Sequence, residues 1–274
     1  MEPLNLTDPA KIKAATTYNS AADHFDDVPL AFWGVIGRRT VERLNLQPGW
    51  RVLDVGCGTG ASVLPAAEAV GPRGSVLGVD LADRLLEQAR AKASQYHLEN
   101  VEFRSGDMME LGFPDGHFDA IISVFSVFFV PDMAAAVREL WRMVRPGGKL
   151  AITTWGPSFF APVYAIWREA VRSERPDLYA AFNPWDRIDS PEQLRQLLAS
   201  GGIPDAEIVH EAGQQDLRFP QDWWTIVLGS GLRGTVDAMD AATATRMEQL
   251  TVNWVRDNAI HAIQTNGIYA IATK

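Results

Sequence analysis

Three glycines in five residues, Gly56, Gly58 and Gly60, follow a short apolar run and Asp54 in RVLDVGCGTGASV, residues 51–63. Glycine lets a backbone turn sharply and bring its N–H groups against a ligand. Two more carboxylates stand at the ends of later apolar runs: Asp80 closes SVLGVD and Asp107 closes VEFRSGD. A carboxylate is an acceptor with room for both hydroxyls of a ribose. A second one can accept from an exocyclic adenine amino group, with Met108 packed on the ring. The residue types therefore point to a nucleoside-containing cofactor.

Two such cofactors suit the glycines. A dinucleotide asks for G-x-G-x-x-G, with its pyrophosphate on a helix N-terminus. Gly56 and Gly58 fit that spacing, but Ala61 takes the third position and Gly60 falls one residue early. S-adenosylmethionine carries no pyrophosphate. It needs close backbone approach, an acid for the ribose and contacts to adenine and to its amino-acid end. Asp80 suits either cofactor, and Asp107 favours S-adenosylmethionine.

These residues must be held by regular elements. Short buried strands are expected at 51–55, 75–80, 101–107, 118–124 and 149–155, with helical patterns between them at 82–97 and 132–145. RPGG at 145–148 reads as a helix stop and a turn. Such βα alternation implies a parallel sheet covered by helices on both faces, and ligands of these sheets bind at the carboxyl ends of the strands. Residues 1–46 read as helices before the first strand, and Ser190, Pro191 and Glu192 begin a capped helix that stops at Gly201. AEIVHEAGQQDLRF reads as a sixth strand and GIYAIATK as a last one, with mainly helical sequence between them and ambiguity over 251–266.

Composition bounds the rest. A formal net charge of −9 builds no phosphate-tracking surface and argues against a nucleic-acid partner. The longest apolar stretch, AIISVFSVFFV, has 11 residues and is too short to span a bilayer. The N-terminus lacks the apolar segment of a signal peptide, and Cys57 is the only cysteine. Both fit a reducing, cytoplasmic setting. No His, Cys and carboxylate spacing reads as a metal site. Oligomeric state is not legible.

The ordered landmarks VLDVGCGTG, GVDLA, SGDMMELGFPDGHFDAIIS and RMVRPGGKLAITTW resemble those of class I S-adenosylmethionine-dependent methyltransferases. The similarity is to the ubiquinone- and menaquinone-biosynthesis-like subgroup acting on small molecules. It implies a Rossmann-like α/β fold with a seven-stranded sheet whose last strand in the chain runs antiparallel. It also implies a helical, aromatic substrate cap. The chain would be one methyltransferase domain over 1–274: a closing segment at 1–46, a cofactor core at 47–155, and cap insertions at 156–200 and 218–262. Carried over by position, Asp54 and the three glycines would lie at the cofactor. Asp80 would hold the ribose with Leu81 beside the adenine, and Asp107 and Met108 would line the adenine pocket. Ser123 would offer contacts near the methionine end, and Tyr18 would close over the cofactor.

The acceptor side departs from the family pattern. Relatives often carry histidine before the PD that follows strand four, whereas this chain has VFFVPD, with Phe128 and Phe129 there. An apolar pocket floor is expected, and His24 is the candidate general base. Aromatic residues after the fifth strand, including Trp155, Phe160, Tyr164, Phe182, Trp185 and Trp223, either line an acceptor pocket or build the core of the cap. The expected activity is methyl transfer from S-adenosylmethionine to a small, apolar or aromatic molecule by in-line displacement, mainly through positioning. An NAD(P)-dependent oxidoreductase and a cofactor-binding regulatory protein without turnover are the alternatives.

Overall fold

The computed structural model describes residues 8–180 and 183–274. Two helices come first, α1 (Pro9–Ala21) and α2 (Phe32–Leu44). Then β1 (Arg51–Val55), α3 (Val63–Val70), β2 (Ser75–Asp80), α4 (Asp83–Gln95), β3 (Val101–Ser105), β4 (Phe118–Val124), α5 (Met133–Met143) and β5 (Val144–Trp155) alternate. After β5 come α6 (Val163–Glu174), α7 (Pro191–Ser200), β6 (Glu207–Glu211) and β7 (Gln214–Asp216). The chain ends with α8 (Asp222–Leu228), α9 (Arg233–Val236), α10 (Ala241–Asp257), β8 (Ala262–Gln264) and β9 (Gly267–Thr273).

Seven strands form one sheet in the order β3-β2-β1-β4-β5-β9-β6. The first five pair in parallel, and β9 runs antiparallel to both β5 and β6. Strand order reverses between β1 and β4, so a crevice opens at their carboxyl ends. Alternation along the strands divides the core between the two faces. Val52, Ala120, Ile122 and Ala151 pack with Val63, Ala66, Ala67 and Val70 of α3 on one side. Leu53, Val55, Ile121, Leu150 and Ile152 pack with Val137 and Leu140 of α5 on the other.

Several elements depart from the sequence expectation. β3 stops at Ser105, leaving Gly106 and Asp107 free to turn into the crevice. β5 starts at Val144, before the RPGG turn. Val144 pairs with Phe118 and Lys149 pairs with Ala120, so the segment between is an excursion within the strand. The close approach there leaves no room for a side chain at Gly148, where a Cβ would lie 2.6 Å from the Asp119 carbonyl oxygen.

The expected sixth strand is two strands in different sheets. It breaks at Gly213, whose N–H donates to Asn266 Oδ1 at 3.0 Å. A Cβ at Gly213 would lie 2.4 Å from the Thr265 carbonyl oxygen. β7 then pairs with β8 alone. The ambiguous stretch 251–266 resolves into the end of α10 followed by β8.

Helix α2 is set against the turn that follows β1. A Cβ on Gly37 would lie 2.6 Å from both the carbonyl carbon and oxygen of Ala61. Gly37→Ala is therefore expected to destabilise the protein by about 1–3 kcal/mol through overpacking. The check is a lower thermal midpoint, accompanied by weaker cofactor binding because Ala61 lines the crevice.

Candidate active site

The crevice is a cleft enclosing about 1010 Å³ of empty space, open solvent at its mouth included. The turn after β1 forms its floor. Gly56 (φ 69°) and Gly58 (φ 53°) lie in the left-handed region. At Gly56 the constraint is also steric, since a Cβ would lie 2.2 Å from Ser126 Cβ. Asp80 Oδ2 accepts from the Gly58 N–H at 2.8 Å, and Oδ1 accepts from the Ala82 N–H at 2.9 Å. Those bonds fix the carboxylate while leaving further lone pairs for a ligand diol. Burial raises the Asp80 pKa, and the backbone donors oppose the rise.

Asp107 forms the far end of the cleft. Its Oδ1 accepts from the Met109 N–H at 2.9 Å, and its Oδ2 accepts from Lys11 Nζ. The hydrogen bond with Asp107 is the main cause of a raised Lys11 pKa. Lys11 sits on α1, so the ion pair ties the N-terminal helix across the cleft. Nothing in the sequence marks this lysine, which lies on a helix of weak amphipathic pattern.

Of the expected cofactor residues, Tyr18, Gly56, Gly58, Asp80, Leu81, Asp107 and Met108 line the cleft. Asp54, Gly60 and Ser123 do not. Asp54 is fully buried beneath the turn, where its Oδ2 accepts from Ser62 Oγ at 2.5 Å and its Oδ1 has no partner. Gly60 faces Leu64, a helix residue beyond the turn. Ser123 is fully buried and pairs with Ser126, Oγ to Oγ, at 2.7 Å. Ser126 takes the wall position expected of Ser123, and its Oγ donates to the Val55 carbonyl at 2.7 Å.

A smaller space adjoins the cleft, about 310 Å³ with open solvent at its mouth included. Tyr18, Trp33 and Phe125 line both cavities. Phe125 adopts φ 53°, rare for a bulky residue. Its ring stacks on Trp155 with centroids 4.0 Å apart. Of the expected acceptor-pocket residues, Phe128, Trp155, Phe160 and Trp185 line the chamber. Tyr164 stands behind it, edge-on to Phe159 at 5.0 Å, with its hydroxyl accepting from Asn183 Nδ2 at 2.9 Å. Trp223 is fully buried in the core of the cap. Phe182 lies outside the described residues. Trp33 and Phe125 were hidden from pattern reading because their neighbours are set by tertiary packing.

His24 does not line either cavity. Its Nδ1 lies 2.8 Å from Asp27 Oδ2 on a half-exposed surface. Cys57 is buried, and desolvation raises its thiol pKa well above the ordinary value, the opposite of a nucleophile's requirement. Among the described residues no cluster of His, Cys, Asp and Glu could hold a metal ion, and no helix is long and apolar enough to cross a membrane.

A parallel sheet with one antiparallel strand, β9, inserted between β5 and β6, and with a glycine turn and strand-end acids at its switch point, is the architecture of a Rossmann-like S-adenosylmethionine-binding protein. Comparison narrows the class: residues 52–148 match the family model described as a methyltransferase domain. The chain is 30% identical over 261 residues to the nocamycin O-methyltransferase of Saccharothrix syringae, covering 89% of this chain and 90% of that protein. A shorter stretch of 114 residues is 40% identical to a demethylmenaquinone methyltransferase of Listeria monocytogenes, covering 42% of this chain and 48% of the relative. Among solved structures, the YcgJ protein of Bacillus subtilis shares the fold with a TM-score of 0.58 at 20% identity, covering 88% of this chain and 97% of that one. The chain belongs to the class I S-adenosylmethionine-dependent methyltransferases, and its cofactor is S-adenosylmethionine.

Asp54 gives the site a pH signature. Burial raises its pKa to about 7, against an ordinary value of 3.8, and the nearby Asp80 charge adds to the rise. Between those values the native state holds a proton that the unfolded chain has released. Stability of the cofactor-free protein should therefore fall as pH rises through that window, by at most about 1.4 kcal/mol per pH unit. Asp54→Asn is expected to flatten the dependence and raise the thermal midpoint at pH 8, measured by melts across pH.

Proposed function

We propose that this enzyme transfers the methyl group of S-adenosylmethionine to a small, apolar or aromatic molecule seated in the aromatic chamber. The observation that carries the reading is the shared wall: Tyr18, Trp33 and Phe125 belong to both cavities. Residues common to both put the two spaces side by side, and in-line displacement requires the acceptor to reach the methyl carbon directly between these rings. The cofactor's sulfonium supplies an already activated methyl group. The protein's part is to hold both molecules in line and to exclude water.

Within this reading Asp80 holds the ribose. Asp107, Met108 and Leu81 surround the adenine, and the backbone at Gly56 and Gly58 lies along the cofactor. Ser126 braces that backbone from the β4 side. Tyr18 closes the cleft from α1, and its phenol stays protonated because burial and then the Asp80 charge raise its pKa. Residues 1–46 act as the closing segment and 47–155 as the cofactor core. Residues 156–200 and 218–262 act as the cap of one 274-residue unit. The names of the relatives support a small-molecule acceptor, since one is an O-methyltransferase of nocamycin and the other acts on demethylmenaquinone. A cytoplasmic setting is supported by the single, buried and unpaired Cys57.

Saturating S-adenosylhomocysteine is expected to raise the thermal midpoint. The underlying stabilisation is about 2.7 kcal/mol at a hundredfold excess over Kd. Asp80→Ala should abolish most of that shift, while NADH should produce none. Absence of both a shift and calorimetric heat with the wild-type protein would sink the proposal.

A further inference from the structure

Helix α1 is held very differently at its two ends. Its C-terminal half, and the chain just after it, are gripped by one stripe of α4, since residues four apart on a helix share a face. The Arg84 guanidinium donates to the Asn19 carbonyl at 2.9 Å and pairs with Asp23 at 2.5 Å. Gln88 Nε2 donates to the Ala22 carbonyl at 2.8 Å, and Lys92 Nζ pairs with Asp26 at 2.6 Å. Asp26 also accepts from Thr59 Oγ1, in the glycine turn, at 2.8 Å. Ala22 and Phe25 are buried with Ala82 and Leu85 along this seam.

The cap holds the same half from another side through GSGLRG, residues 229–234. Its three glycines present bare backbone to the N-terminal segment. A Cβ at Gly229 would lie 2.6 Å from the His24 carbonyl oxygen, one at Gly231 3.3 Å from Tyr18 Oη, and one at Gly234 2.4 Å from Thr17 Oγ1. All of these contacts fall on residues 17–26, so Tyr18 stands in a part of the chain fixed from two sides. Residues 9–15 have no such hold. Pro9, Ala10, Ile12 and Lys13 are exposed, and Ala15 alone is buried. Among the described residues of this stretch, Lys11 alone has a side chain hydrogen-bonded to the rest of the fold, through Asp107. The stretch nevertheless roofs the cleft, since Lys11, Ala14 and Ala15 line it.

A segment with few buried contacts and one polar tie opens at low free-energy cost. We propose that residues 9–15 are a gate for the cofactor, latched by Lys11 on Asp107 and hinged near Thr17, while Tyr18 stays in place. This rests on the cofactor seat assigned above. Lifting the whole segment would break every contact to α4 and to the glycines of the cap, whereas lifting residues 9–15 breaks the latch. Entry is then at the adenine end, where the ammonium leaves the carboxylate that the adenine amino group meets. A carboxylate has lone pairs for both, so the gate closes over bound cofactor and remakes the tie. The wall between the two cavities stands throughout the exchange. Lys11 is thus a positioning residue that governs cofactor exchange through Asp107 and takes no part in the transfer step.

Amide hydrogen exchange on the cofactor-free protein reads the gate directly. In wild-type protein the amides of residues 12–15 should exchange faster than those of residues 17–21. Lys11→Met should raise exchange at 12–15 by about fivefold to tenfold, as loss of a charge-assisted hydrogen bond implies, and leave 17–21 unchanged. Lys11→Arg keeps the charge and should stay near wild type. Stopped-flow tryptophan fluorescence with S-adenosylhomocysteine supplies the second readout. Because the tie exists in the empty and in the loaded cleft, Lys11→Met should speed binding and release by a similar factor, leaving Kd within about twofold of wild type. Equal exchange across 12–21 in wild-type protein, or a rise in Lys11→Met that spreads evenly to 17–21, overturns the hinge. Unchanged rates overturn the latch. So does faster release without faster binding, which is what loss of an ordinary cofactor contact would give. The wild-type exchange pattern needs no variant to fold. Failure of wild-type protein to bind S-adenosylhomocysteine would instead overturn the cofactor seat, whereas the exchange pattern decides the gate by itself.

Discussion

The site depends on how closely the backbone after β1 approaches the backbone after β4. At Gly56 even a methyl group would meet Ser126 Cβ at 2.2 Å. Ser126 Oγ donates to the Val55 carbonyl at 2.7 Å and pairs with Ser123 at 2.7 Å, so the two strand ends are joined by side chain as well as by contact. Phe125, immediately before Ser126, is held at φ 53°. Its N–H donates to the Thr153 carbonyl at 2.9 Å and its ring stacks on Trp155. A non-glycine residue in that region costs about 1–3 kcal/mol. The surrounding packing offsets it, and the result is a ring fixed at the wall between the two cavities.

Much of the core was legible because its signals are local. β1, β2 and β4 are short apolar runs buried on both sides, and their bounds match the sequence reading. Gly56, Asp80 and Asp107 fall at strand ends, where parallel topology gathers ligand groups. The excursion in β5 blurred a boundary rather than the topology, since Val144 resumes pairing with β4 before the RPGG turn. Gly213 was legible as a glycine but not as the break between two sheets. The close approach of Thr265 that requires it comes from a segment about 50 residues later.

The cap resisted reading for a related reason. Trp155, Phe160, Trp185 and Trp223 look alike in a sequence, yet three border the chamber and Trp223 is sealed in the core. What separates them is which helix lies behind each ring, and no periodicity encodes that. Lys11 was hidden in the same way. Its significance comes from Asp107, which lies 96 residues away and meets it only after α1 has folded across the cleft. Ser123 and Ser126 differ by three positions, and the turn through Phe125 puts the second rather than the first at the cleft wall.

Charge divides the two cavities. Beneath and around the cleft stand Asp54, Asp80 and Asp107. Burial raises the pKa of the first two, and the Asp80 charge raises that of Asp54 further. Among the described residues, only Asp107 of the three has a cationic partner, Lys11 on α1. Burial works against the charged form of Asp54 and Asp80, and the positive charge of S-adenosylmethionine would work in favour of it. The chamber next door is lined mainly by rings and has no charged side chain among its described lining residues.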